Sequence, residues 1–256
     1  MQRTTKDPDS ILLVIPCYKE SSRLPDFLQK LCKTAESSEL PIKILTVDDG
    51  SGQGEADFMV SLIQKLQEKF NLLLDPVILK QNQGKGGAIY SGWDEADPQI
   101  YKWVSFVDAD GAISPEETLN FLSQTKNSNE EKQTCLWSVR VTGEGKEVNR
   151  TKVRQALGNI FRGIVRFTFN LPVRDTQCGL KCLPTKAYQK IQNKLIERRF
   201  VFDVELAAHL TRQGYKLKEI PVNWQESPGS TINIKSAFKM LISLFIIRWR
   251  LLINKS

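Results

Sequence analysis

Short, wholly apolar runs that alternate with segments of helical period constrain this 256-residue chain more than any other feature. Ile11–Ile15 is apolar at every position, as expected of a strand buried on both faces. From Ser22 to Lys33, Leu24, Phe27, Leu28 and Leu31 recur at helical spacing, with Pro25 in the first turn. Ile42–Val47 predicts a second strand, and Ala56–Phe70 a helix with Phe58, Leu62, Ile63 and Leu66 along one side. Pro76–Leu79 predicts a third strand, Lys85–Asp94 a helix and Trp103–Val107 a fourth strand, and Ser114-Pro115-Glu116-Glu117 has the pattern of a capping box. Repeated β–α units of this length predict an α/β fold with a mostly parallel sheet flanked by helices.

The second half is less regular. Leu136–Val141 predicts a strand, Lys152–Phe169 a helix, Phe202–Gln213 a helix stopped by Gly214, Lys216–Trp224 a strand and Lys235–Ile253 a terminal helix. The polar stretch Asn127–Lys132 predicts an exposed loop. In open parallel sheets ligands lie beyond the carboxyl ends of the strands. Four strand ends therefore carry the search for a site.

After the first strand stands Pro16-Cys17-Tyr18-Lys19-Glu20, where Tyr18 offers a flat surface for a base and Glu20 an acceptor. After the second comes Asp48-Asp49-Gly50-Ser51, either an acceptor for a base or ribose or an Asx turn capping the next helix. After the third comes Gln83-Gly84-Lys85-Gly86-Gly87, in which glycines at a helix start let the backbone approach phosphate and Lys85 adds a cation. The fourth strand runs straight into Asp108-Ala109-Asp110-Gly111. Two carboxylates one residue apart at a buried strand end are costly without a compensating cation. A hard divalent ion shared with a diphosphate supplies one, since Mg²⁺ and Mn²⁺ accept one or two carboxylates plus phosphate oxygens.

Charge and cysteine usage narrow the partners. A net charge of +7 favours anionic partners such as nucleotides, lipid phosphates or acidic membrane surfaces. Five cysteines, an odd number, do not read as a disulfide framework, and reduced thiols in the cytoplasm are expected. His209 is the one imidazole, so a zinc site pairing Cys178 and Cys182 is not expected. No basic patch interleaved with stacking aromatics points to nucleic acid. No apolar run approaches the roughly 18 residues of a membrane span.

Taken in order and spacing, VIPCYKE, TVDDGS, NQGKGGA and FVDADG resemble the family 2 glycosyltransferases. The resemblance implies a GT-A fold of Rossmann-like character over residues 1–232, followed by an amphipathic helix over 233–256. It places a nucleotide-sugar against Pro16, Tyr18, Glu20, Asp48, Asp49, Lys85, Gly86 and Asp108. A Mg²⁺ or Mn²⁺ cofactor falls to Asp108 and Asp110, with Asp110 the main ligand. Further on, RDTQCGLK (174–181), FVFDVEL (200–206) and VNWQE (222–226) resemble the synthases that load sugars onto polyprenyl or dolichyl phosphate, most of all those using glucose. UDP-glucose is the donor this favours. GDP-mannose stays open, although Ala112 stands where many mannosyl synthases carry an amide, and so does a saccharide acceptor.

That likeness implies an acceptor phosphate or sugar near Arg140, Arg154, Gln177 and Lys181, with Asp175 and Asp110 at the catalytic centre. Asp175 is expected there as an orienter or weak base, with a structural cap as the other reading. Arg150, Arg162 and Arg166 lie on or beside the same predicted helix, as acceptor cations or a solvated face. On the terminal helix, Phe238, Leu241, Ile242, Phe245, Ile246, Trp249 and Leu252 recur at three- and four-residue steps, opposite Lys235, Lys239, Ser243 and Arg250. Such a helix lies in a membrane interface or packs on its own core. A peripheral place on the cytoplasmic face of a membrane, with or without an anchoring protein partner, is the expectation.

Overall fold

Each predicted β–α unit is present in the computed structural model, which describes residues 10–127, 133–140, 148–149, 152–225 and 234–253. In chain order the elements are β1 (Ile11–Cys17), α1 (Leu24–Glu36), β2 (Ile42–Asp48), α2 (Gln53–Gln67), β3 (Val77–Ile78), α3 (Lys85–Asp94), β4 (Trp103–Val107) and α4 (Pro115–Ser123). Then follow β5 (Thr134–Val139), β6 (Val148–Asn149), α5 (Lys152–Phe169), β7 (Leu180–Pro184), α6 (Thr185–Ile191), α7 (Phe202–Arg212), β8 (Lys216–Pro221), β9 (Trp224–Gln225) and α8 (Ile234–Ile253). The expected 127–132 loop lies, beyond its first residue, outside the described residues, as do Val141 and Arg150.

The main sheet has seven strands in the order β3-β2-β1-β4-β7-β5-β8. β1 pairs in parallel with β2 and β4, and β5 in parallel with β8. β7, which the periodicity does not reveal, is antiparallel to both β4 and β5. Its register sets Leu180 opposite Val107. The residues entering β7 therefore arrive at the edge where β4 and β5 end.

Alternation along the strands divides the core between the two faces. Ile11, Leu13 and Ile15 pack with Leu28 and Leu31 of α1, Ile63 of α2 and Leu122 of α4. Leu12, Val14, Val104 and Phe106 pack with Trp93 of α3, Tyr188 of α6, Phe202 and Leu206 of α7, and Leu244 of α8. Gly92 of α3 allows that second layer to close, because a Cβ there would lie 2.7 Å from both Val14 methyl carbons. At α4 the Ser114 hydroxyl accepts the Glu117 N–H at 3.2 Å, the forward half of the expected capping box. The Glu117 carboxylate also accepts two hydrogen bonds from Asn223.

α8 packs on the core with one row of side chains and leaves a second apolar row exposed. Met240, Leu244, Ile247 and Leu251 are buried in the core. Leu241, Ile242, Phe245, Ile246, Trp249 and Leu252, the row singled out by spacing, face outward, with Phe245 74% exposed. The side chains of Lys235 and Phe238 lie outside the described residues. Among the described residues no helix is long and apolar enough to cross a membrane. Leu244→Ala should cost about 2–5 kcal/mol of stability in denaturant titration, whereas Phe245→Ala should stay within about 0.5 kcal/mol.

Candidate active site

The loops after β2 and β3 are built against each other. Gly50 has φ +65°, and a Cβ there would lie 2.4 Å from the Gln81 carbonyl carbon, so no side chain fits. The buried Asp49 carboxylate accepts from Asn82 Nδ2 at 2.8 Å, Gln83 N at 2.6 Å and Gly84 N at 2.9 Å. Burial raises its pKa, against those amide hydrogen bonds. Asp48, equally buried, accepts the Ser51 N–H at 3.0 Å, the turn geometry weighed against a base contact in the sequence. Ser51 Oγ in turn accepts the Lys19 N–H at 2.9 Å, tying the 16–20 segment to the same turn. Both aspartates thus shape the loops. Tyr18 stands half exposed beside them, and Pro16 continues β1 opposite Val47.

Gly86 is required by packing as well. A Cβ there would meet the Phe202 Cβ at 2.5 Å, so its absence lets α3 approach α7. Lys85, one residue earlier, reaches across to β4. Its Nζ lies 2.6 Å from one Asp108 carboxylate oxygen and 2.9 Å from the other. Burial opposes that ammonium, but the Asp108 charge prevails and raises its pKa.

Asp108 rests on the segment entering β7. Its N–H donates to Gly179 O at 3.1 Å, and a Cβ on Gly179 would come within 2.2 Å of Asp108 Oδ2. The glycine of the RDTQCG segment is therefore required by the acidic pair. Asp110 Oδ1 accepts the Ala112 N–H at 3.0 Å. Burial and then the charge of Asp108 raise the Asp110 pKa. Glu20 is raised as well, first by burial and, despite Arg23, by Asp110 and Asp108. Arg23, which no sequence signal singled out, pairs with Glu20 through Nε at 2.7 Å and Nη2 at 2.5 Å.

Three carboxylates gathered at one strand end form a site that lacks positive charge. Lys85 and Arg23 compensate part of it. The donor set suits a hard cation: two carboxylates, Asp108 and Asp110, with further oxygens left to a ligand. Among the described residues no group of three or more such side chains could hold a metal alone. A cation here would take the rest of its oxygens from a ligand or from water.

On the other side of β4, the antiparallel β7 brings Asp175 beside the end of β5. Arg140 grips it with Nε at 2.7 Å and Nη2 at 2.9 Å, and packs over the Trp224 ring at 5.4 Å. Burial would raise the Asp175 pKa, but Arg140, with help from Arg162, holds it well below the usual carboxylate range. Both Asp175 oxygens accept from the Arg140 guanidinium, a pairing that makes the carboxylate a weaker base. The two-point contact fixes the direction of the Arg140 guanidinium.

Two expected acceptor contacts are redirected by the fold. Lys181 is fully buried on β7, its Nζ donating to Cys178 O at 2.7 Å and Asp203 Oδ2 at 3.2 Å, over the Phe106 and Trp137 rings. Burial pushes Lys181 down and Asp203 up. Lys181 thus lies beneath the site, because a central strand points its side chain into the core. Gln177 Nε2 donates to Phe200 O at 2.9 Å and Asp203 Oδ1 at 2.7 Å, and so clamps the loop before α7. Arg154 lies on α5, but its side chain is outside the described residues. Trp224 stands out in the sequence only as part of a motif, because its nearness to Arg140 depends on β8 ending beside β5.

The ends of a mostly parallel sheet thus gather a glycine turn, a lysine and an acidic pair, and similarity to known proteins gives the family. Residues 12–190 match the model of Glycosyl transferase family 2, and the chain belongs to that family. It is similar to the dolichyl-phosphate beta-glucosyltransferase of Saccharomyces cerevisiae, 30% identical over 97% of this chain and 78% of the relative. The Dictyostelium discoideum dolichyl-phosphate beta-glucosyltransferase is also 30% identical, over 97% and 78%. Among solved structures, glucosyl-3-phosphoglycerate synthase from Mycobacterium tuberculosis, in complex with Mn²⁺, uridine diphosphate and glucosyl-3-phosphoglycerate, superposes with a TM-score of 0.68. At 12% identity, over 95% of this chain and 81% of that one, it bears on the fold alone, which is of the GT-A type.

The Arg140–Asp175 pair makes an acid-stability prediction. A carboxylate whose folded pKa is depressed contributes stability that is complete above the ordinary value near 3.8 and is lost as pH falls below it. Arg140→Ala leaves Asp175 buried and unpaired, and should cost about 3–5 kcal/mol at pH 7. Denaturant titrations at several pH values should also show less acid dependence in the variant than in the parent.

Proposed function

We propose that this chain transfers glucose from UDP-glucose to a dolichyl or related polyprenyl phosphate, giving a β-linked lipid-phosphate sugar. One observation carries the reading: the acidic pair with Lys85, and the oriented Arg140, stand on either side of β4 at one sheet edge. A nucleotide diphosphate and an acceptor phosphate both need cations, and a transferase must hold these two anions together. The similarity to named dolichyl-phosphate beta-glucosyltransferases supports glucose and the lipid acceptor.

The chemistry is a single displacement. An acceptor phosphate oxygen forms a bond to the anomeric carbon while the bond from that carbon to the diphosphate oxygen breaks, so an α-linked donor gives a β-linked product. The phosphate is anionic near neutrality and requires no strong base, consistent with Asp175 being locked to Arg140. Lys85, at the start of α3 beside the glycine turn, binds the diphosphate, and Arg140 and Arg162 draw the acceptor phosphate. Asp108 and Asp110 would hold Mg²⁺ or Mn²⁺, which when bound would neutralise charge on the leaving diphosphate.

A panel of UDP- and GDP-sugars with a short polyprenyl phosphate and Mn²⁺ tests the reading. Product from UDP-glucose is expected; product from GDP-mannose alone would replace the donor. Asp110→Ala should lower turnover by at least about 10³-fold while leaving the melting temperature near that of the parent. Undiminished turnover would remove the metal site.

A lipid acceptor also gives the outer face of α8 a purpose. The exposed row from Leu241 to Leu252 is the element we assign to the membrane interface, in a protein whose positive charge suits an anionic leaflet. Co-sedimentation with vesicles containing anionic lipid should be lost in the double variant Phe245→Asp, Trp249→Asp. Equal binding by variant and parent would reassign that face.

A further inference from the structure

Two acids of α7, Asp203 and Glu205, are both almost fully buried and stand two residues apart, roughly 200° around the helix axis. Asp203 receives Gln177 and Lys181. Glu205 serves another set. Its Oε2 accepts the backbone N–H groups of Ile196 at 2.8 Å and Glu197 at 2.7 Å, and its Oε1 accepts from Arg250 Nη2 of α8 at 2.8 Å.

The segment that begins there, 196–201, crosses the glycine turn. Arg198 O accepts the Gly87 N–H at 2.8 Å and lies 2.7 Å from where a Cβ on Gly84 would sit. Arg198 Nη1 donates to Gln83 Oε1 at 2.7 Å. The other side of the segment looks at α8 across a cavity of about 190 Å³, between Arg199, Phe200 and Val201 and the helix residues Lys239, Met240 and Ser243. One carboxylate therefore fastens a loop that touches the glycine turn on one side and α8 on the other.

We propose that Glu205 is a positioning residue for the donor site: it holds the 196–201 loop on the glycine turn and on α8 together, so the seating of α8 and the shape of the donor site change as one. A buried carboxylate with three charge-assisted hydrogen bonds is a rigid joint, and replacing it with an amide puts a donor where donors already converge. The proposal rests on the reading that Lys85, beside the glycine turn, binds the nucleotide diphosphate.

The test uses the full chain, with UDP and Mn²⁺ as the probe in calorimetry, beside steady-state kinetics and thermal melts. Glu205→Gln should raise the UDP dissociation constant and the KM for the nucleotide-sugar about tenfold, with kcat at saturating donor within about twofold. Arg250→Met should shift both in the same direction, and Arg250→Lys, which keeps a charged donor, should restore them. UDP affinity equal to that of the parent in folded Glu205→Gln overturns the proposal, as does a fall in kcat that merely follows a lowered melting temperature. If Glu205→Gln does not fold, Arg250→Met decides: an unchanged dissociation constant overturns the coupling. A parent protein that fails to bind UDP sinks the donor-site reading instead. The joint is then judged by amide exchange at Gly87, where acceleration in Arg250→Met supports it and unchanged protection overturns it.

Discussion

Seating β7 antiparallel between β4 and β5 is the constraint on which the site depends. A parallel strand in that place would deliver the 174–179 segment to the opposite edge of the sheet. Reversed, it brings Asp175 beside Arg140, Gly179 under Asp108 and Gln177 against the start of α7. The strand carries Lys181 into the core, where Asp203 and the Phe106 and Trp137 rings receive its charge. The buried lysine belongs to the structure that holds β7 in place.

Electrostatics at this edge follows from that arrangement. Asp108, Asp110 and Glu20 repel one another, which leaves the donor side short of positive charge, and Lys85 and Arg23 lean toward it. Across β4, Arg140 and Asp175 form a buried ion pair that holds the carboxylate well below the usual carboxylate range. One half of the site calls for a cation. The other holds a guanidinium fixed by its carboxylate partner. A reaction that joins two phosphate-bearing molecules uses both kinds of imbalance.

The terminal helix shows how one segment serves two environments. A narrow row from Met240 to Leu251 closes the core over α7, while a broader row stays apolar and exposed. Spacing could not separate them, because rows of period three and four lie on both sides of a helix that is apolar most of the way round. Arg250, placed by pattern on a polar face, is instead drawn inward by Glu205. The same carboxylate reaches the loop at the glycine turn, so the helix is joined to the donor side through buried hydrogen bonds.

Local pattern alone determined much of this protein. The apolar runs at 11–15, 42–47 and 103–107, the helix at 85–94, and the acidic pair at a strand end were all legible, because buried strands and helix starts leave short-range signals. So was the family, through four motifs kept in order. Tertiary structure alone decided what the side chains of the second half do. Asp175 became a partner of Arg140, Lys181 a core residue, Asp49 the clasp of the glycine turn, and Glu205 a joint between loop and helix. Each of these roles rests on a contact between residues 33 or more apart, or on the direction of a strand, except where α7 acids meet residues 22, 9 and 8 before them. A carboxylate's role is set by the charge and hydrogen-bond donors that packing places against it, and spacing along the chain does not encode those neighbours.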